Sequence, residues 1–139
     1  MDEKLKQKVV ELMDGNKVGT LATIRENKPF TRFMNFNHDE VTLYTATNKH
    51  THKVEDISQN PSVHILLGNE GGSWHESYLE IEAVAEITDD AAWKEKCWDE
   101  HLHKWLEGPQ DPNYVVLKLT PKSIRVFSEA GKDPEELSL

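Results

Sequence analysis

The chain has 139 residues, a length for one domain with a real hydrophobic core. Its 16 Lys and Arg stand against 25 Asp and Glu, a formal net charge of −9. That dilution of positive charge excludes a broad nucleic-acid surface, though not the binding of one small anion by two or three donors. The longest uncharged apolar run is about Ile65-Leu66-Leu67, far short of a membrane-spanning helix. The first residues, MDEKLKQKVVELMDG, lack the apolar core of a signal peptide, so the expected location is cytoplasmic. A single cysteine, Cys97, leaves no intramolecular disulfide and no cysteine-based zinc site.

In chain order, Glu3 to Asp14 reads as a helix. Leu5, Val9, Leu12 and Met13 form its apolar stripe, and Asp14-Gly15-Asn16 ends it. Val18 to Arg25 reads as a strand, Glu26-Asn27-Lys28 as a hairpin connection, and Phe30 to Phe36 as a second strand. Asn37 to Glu40 is a second turn and Val41 to Thr47 a third strand, which predicts a three-stranded antiparallel meander. Thr51 to Gln59 is a short helix with Val54 and Ile57 apolar, stopped by Asn60-Pro61. Ser62 to Leu67 is a fourth strand, and Gly68 to Ser73 a glycine-rich loop. Tyr78 to Thr88 alternates cleanly, with Leu79, Ile81, Ala83, Ala85 and Ile87 on one face. Thr88-Asp89-Asp90 starts a helix expected to reach Leu106, with Trp98, Leu102 and Trp105 on one stripe. Tyr114 to Thr120 is a sixth strand, Pro121 a turn, and Ser123 to Ser128 a seventh strand. The tail beyond Glu129 shows no period and reads as loose. Six or seven antiparallel strands with about three helices make a mainly-β, closed or split barrel in a single domain spanning 1–139.

Chemistry concentrates between residues 29 and 61. Arg32 sits mid-strand between apolar neighbours, and Thr51, His52 and Lys53 open a helix. A helix start offers free N–H groups and partial positive charge, so these residues form a candidate phosphate seat that an arginine from a neighbouring strand closes. On spacing alone, the same residues read as an exposed strand arginine, an ordinary N-cap and a solvated helix lysine.

The order of R-x-M-x-F, a turn, a strand with threonines, and T-H-K leading a helix that closes on N-P resembles the pyridoxamine-phosphate-oxidase-like FMN-binding split barrels. The long strand ending A-x-A-E-I-T-D-D, the Trp-rich helix and the segment G-P-Q-D-P-N-Y-V-V-L-K-L-T-P resemble the bacterial general-stress-protein branch of that family. The resemblance implies a six- to seven-stranded split barrel that binds FMN at a homodimer interface. It implies that Arg32 reaches the FMN phosphate, together with Thr51, His52 and Lys53. It places the backbone of Phe33, Met34 and Asn35 along the isoalloxazine ring, and either Thr45 or Thr47 near the ribityl chain and phosphate. His52 stands where the family commonly has arginine, which implies a weaker or more pH-dependent phosphate contact. Phe127 stands where the second subunit often supplies a tryptophan; it would stack without donating a hydrogen bond. The basic C-terminal motif with which true pyridoxine-phosphate oxidases hold substrate is absent, since the chain ends EAGKDPEELSL. The implied function is therefore a flavin-dependent oxidoreductase acting on an unidentified small molecule, linked to general stress. The alternative is a non-catalytic carrier or sensor of flavin, deazaflavin or haem.

The remaining constellations read plainly. His50/His52 and His101/His103 are H-x-H pairs; the second faces apart on a helix and makes a poor chelate, and with no cysteine partner and no i, i+4 histidine pair no metal is expected. Cys97 reads as a small buried hydrophobe, Trp93, Trp98 and Trp105 as packing residues, and Asp89-Asp90 as helix-start carboxylates. Trp74 is open between a pocket rim and a barrel cap. For haem, His38, His64 and His75 are the candidate axial ligands.

Overall fold

Alternating apolar residues joined by short polar turns favour an antiparallel sheet, and the computed structural model, which describes residues 2–69, 76–128 and 131–139, contains one. Helix α1 (Glu3–Gly15) leads into strands β1 (Val18–Arg25), β2 (Lys28–Asn35), β3 (Asn37–Asp39) and β4 (Thr42–Asn48). Helix α2 (His52–Gln59) follows, then β5 (Ser62–Gly68), β6 (Tyr78–Thr88), helix α3 (Ala91–Cys97) and a short 3-10 helix (Glu100–Lys104). Strands β7 (Tyr114–Phe127) and β8 (Glu135–Leu137) complete the chain. The β1–β2 hairpin turns on Glu26 and Asn27, both at positive φ, which suits a tight two-residue connection.

The strand order is β2-β1-β5-β6-β7-β4-β3, antiparallel throughout, with β8 added to β7. The predicted three-stranded meander is not formed. β4 leaves β2 and pairs with β7, from Leu43 opposite Leu119 to Asn48 opposite Tyr114. The reason lies in burial. Leu43, Tyr44 and Thr45 are buried in succession, so β4 needs cover on both faces, and β7 is buried the same way from Tyr114 to Leu117. The sheet curls until β2 approaches β4, and a side chain ties them: the Thr45 hydroxyl donates to the Asn35 carbonyl at 2.7 Å. This is a split barrel.

The interior is aliphatic, with Leu21, Ile65, Leu67, Leu79, Ile81, Leu117, Leu119 and Ile124 all buried. Helix α1 adds Leu5, Val9 and Met13, and α2 adds Val54 and Ile57. Gly19 is required there, because a Cβ would lie 2.6 Å from the Leu66 carbonyl oxygen. A second, smaller core covers the outside of β4 and β7, where Trp93 of α3 stacks on Tyr44 with centroids 3.6 Å apart.

Three further expectations need correction. The helix predicted to run to Leu106 breaks at Trp98, and Asp99 restarts the chain by accepting from the His101 N–H at 2.8 Å. The break lets Trp98 meet Tyr114 edge-on and leaves Trp105 exposed, off the expected stripe. Pro121 is not a turn. It lies inside one continuous 14-residue strand, at a register shift where Glu82 pairs with Ser123 and Ala83 with Pro121. The bulge excuses the missing N–H. Finally, the tail is anchored: β8 pairs with β7, and Leu137, opposite Ile124, is 2% exposed. With β3 in the second turn and β8 in the tail, the described residues hold eight strands. No described helix is long and apolar enough to cross a membrane.

Candidate functional site

Arg32 of β2, Thr47 of β4 and the start of α2 lie close to one another, and part of the candidate set meets there. Thr51 is the N-cap residue of α2, yet no side chain caps that helix. The Thr51 hydroxyl instead donates to the Asn48 carbonyl at 2.9 Å. The first-turn N–H groups therefore keep their capacity for an anion. Thr47 lies beside this helix start, its hydroxyl 3.5 Å from that of Thr51. Thr45 is turned to Asn35 instead, so of the two threonines Thr47 is the one adjoining the seat.

Arg32 points inward from β2, on the face of its ladder partner Leu21. Its Nη1 donates to the Leu21 carbonyl at 3.1 Å and to the Thr23 hydroxyl at 2.8 Å. Its Nη2 stands 3.9 Å from Asp56 Oδ2, an ion pair without a hydrogen bond. Lys53 is half-buried in the first turn of α2. Burial, and then the charge of Arg32, hold its pKa below the usual 10.5. Burial likewise lowers the pKa of Arg32. Among the described residues Lys53 has no hydrogen-bond or ion-pair partner. Two partly desolvated cations beside an uncapped helix start favour an anion between them.

Beneath them lies a network that the sequence did not single out. Asp56 of α2 is 5% exposed and Thr23 of β1 is fully buried. Asp56 accepts from Arg25 Nε at 2.9 Å, from Arg25 Nη2 at 3.3 Å and from the Thr23 hydroxyl at 2.9 Å. The Arg25 hydrogen bond is the first reason its carboxyl stays below the usual range despite burial. The signal was present as two polar residues at core-facing positions, Thr23 in step with Leu21 and Asp56 beside Ile57.

The other predicted residues are more dispersed. His52 is exposed on the first turn of α2. Met34 faces inward beside Gly19, whereas Phe33, 77% exposed, and Asn35 face outward. β2 pairs only with β1, so its far edge leaves backbone groups open along Phe33 to Asn35, apart from the Asn35 carbonyl held by Thr45. Phe127 stacks on Tyr78 with centroids 4.7 Å apart, on a strand separated from β2 by β1, β5 and β6. Within one chain it is not brought to Arg32 and Lys53.

Burial pushes the Cys97 thiol up to about 11, which keeps it protonated and inert at neutral pH. Asp90 caps α3, accepting from the N–H groups of Ala92 and Trp93. Both ring nitrogens of His38 are engaged, by Asp14 and by the Glu40 carbonyl, and His64 is exposed on β5. Trp74, His75 and residues 70–73 of the glycine-rich loop lie outside the described residues. No group of three metal-ligating side chains occurs among the described residues.

A curled antiparallel barrel with a cationic seat at its split defines a class, and the family model described as pyridoxamine 5'-phosphate oxidase matches residues 5–128. The chain belongs to that family. Within it, the chain is 43% identical over 137 residues to General stress protein 26 of Bacillus subtilis, covering 99% of this chain and 98% of that protein. The crystal structure of General Stress Protein 26 from Bacillus anthracis superposes with a TM-score of 0.88 at 40% identity, covering 97% of this chain and 98% of that one. Two distant structures share the fold alone. One is a heme binding protein from Mycobacterium smegmatis (15% identity, TM-score 0.79, 96% of this chain and 57% of that one). The other is a FAD-binding protein from Mesorhizobium loti (16% identity, TM-score 0.73, 86% and 91%).

Proposed function

We propose that the chain is a cytoplasmic FMN-dependent oxidoreductase of the general-stress branch, working as a homodimer with the cofactor at the subunit interface. The observation that carries this reading is Lys53, a half-buried ammonium without a partner among the described residues, beside Arg32 at the uncapped start of α2. A phosphate monoester dianion suits two cations and a helix start. Arg32, Thr51, His52 and Lys53 would hold that phosphate, with Thr47 beside them and Thr45 at the split. The open edge of β2 along Phe33, Met34 and Asn35 would run beside the ring system. The partner subunit's Phe127 would stack against it. Bound flavin would carry the hydride between a reduced nicotinamide, or another donor, and a small acceptor, while the protein supplies position and electrostatics.

Haem is less well supported, because the seat suits a phosphate and both ring nitrogens of His38 are already engaged. Among flavins, FMN ends in the monoester that such a seat fits. The test is a flavin titration followed by fluorescence. Wild-type protein is expected to quench FMN, and Arg32→Ala and Lys53→Ala each to raise Kd about ten- to a hundredfold, the loss of one charge-assisted contact of about 1.5–3 kcal/mol. Unchanged FMN fluorescence on adding wild-type protein overturns the reading. Steady oxidation of NADH or NADPH by the loaded protein separates an enzyme from a flavin carrier or sensor.

A further inference from the structure

We propose that Thr23, backed by Asp56, is a positioning residue that presents the unbonded edge of Arg32 to a phosphate monoester. The inference rests on the FMN reading above and adds to it two residues that need not touch the cofactor.

The argument starts from what one hydroxyl can do. It has a single hydrogen and two lone pairs. The Thr23 hydrogen goes to Asp56 Oδ2 at 2.9 Å, and a lone pair takes Arg32 Nη1 at 2.8 Å. The second Nη1 hydrogen goes to the Leu21 carbonyl at 3.1 Å. One corner of a rigid planar guanidinium is thereby fixed at two points. Nε and Nη2 have no hydrogen-bond acceptor among the described residues.

Charge explains why a hydroxyl stands there. A direct bidentate pair with Asp56 would satisfy Arg32 and leave little for a ligand. Thr23 is a neutral spacer that holds the carboxylate 3.9 Å from Nη2. Arg25 completes the device. It donates to both Asp56 oxygens, so the carboxylate has its own counter-ion and does not draw Arg32 away. Thr23 and Asp56 are buried, so the arrangement is shielded from competing water.

The experiment compares FMN with riboflavin, which lacks the phosphate, by fluorescence titration of the full chain. Thr23→Val keeps the shape and removes the hydroxyl. It is expected to weaken FMN binding about three- to tenfold, leave riboflavin binding unchanged, and be rescued by Thr23→Ser. Arg25→Gln, on a partly exposed side chain, should release Asp56 to capture Arg32 and give the same FMN-specific loss without touching the barrel core. In flavin-free protein, the Arg32 guanidinium 15N signals should show slow rotation that Thr23→Val abolishes and Thr23→Ser keeps. Equal losses for FMN and riboflavin, or no loss in Thr23→Val where Arg32→Ala does lose affinity, overturn the positioning role and leave the phosphate seat standing. If Arg32→Ala also leaves FMN affinity unchanged, the seat itself fails and the positioning role falls with it.

Discussion

At the scale of single residues, the candidate site turns on a lysine that no acid balances among the described residues. Burial and the neighbouring guanidinium lower the Lys53 pKa in the free protein, whereas a bound dianion would raise it again. If FMN binds as proposed, its affinity is expected to be complete while free Lys53 is protonated. It then falls by about tenfold per pH unit as pH climbs past the lowered value, until the bound-state value is reached. Kd measured from neutral to alkaline pH should show this decline in the wild type and a flatter one in Lys53→Arg, whose charge persists. Equal slopes would count against Lys53 as a ligand. Arg32, Thr51 and Lys53 were legible because their order in the chain carries the resemblance. Thr23, Arg25 and Asp56 were not. A polar residue at an inward position says only that it needs a partner, and the partner lies 33 positions away for Thr23 and Asp56.

Elements were legible where one face alone was buried. α1, β1 and β6 follow their apolar periods, because each buries one face, except that Ile87, expected on the apolar face of β6, is 41% exposed near the strand end. The expectations that failed needed knowledge of what covers the second face. β4 and the start of β7 are buried on both faces, so alternation could not assign their neighbours. Proline argued for a turn, yet a bulge opposite Ala83 accommodates it inside β7. The tail has one apolar residue that matters, Leu137, too little to set a period. Leu137→Ala is expected to destabilise the fold by about 2–3 kcal/mol, as for a buried leucine whose site can partly collapse. Urea unfolding measures this, and a change below about 0.5 kcal/mol would show that the tail does not hold β7.

For the whole molecule, the outward face of the β2-β1-β5 ladder carries a row that a charged surface would not be expected to leave open. Phe33 is 77% exposed opposite Thr20, and Thr20 is opposite Leu66, itself 42% exposed. Val18, 45% exposed, and the Tyr78–Phe127 stack lie on the same face. A second copy covering this face is the proposed dimer. Phe33→Glu is expected to shift the protein toward monomer in light scattering and to weaken FMN binding with it. A Phe33→Glu protein that stays dimeric would place the interface elsewhere. The seat of Arg32 and Lys53 also has a kinetic consequence, because it is a cationic spot inside a shell of net charge −9. An anionic cofactor approaching from far away meets repulsion before it meets attraction. At about 0.1 M salt the Debye length is about 10 Å, which erases the distant repulsion and spares the short contacts. Stopped-flow mixing should therefore show FMN arriving faster as salt rises; arrival that slows instead would mean that the two cations already steer the ligand through the acidic shell.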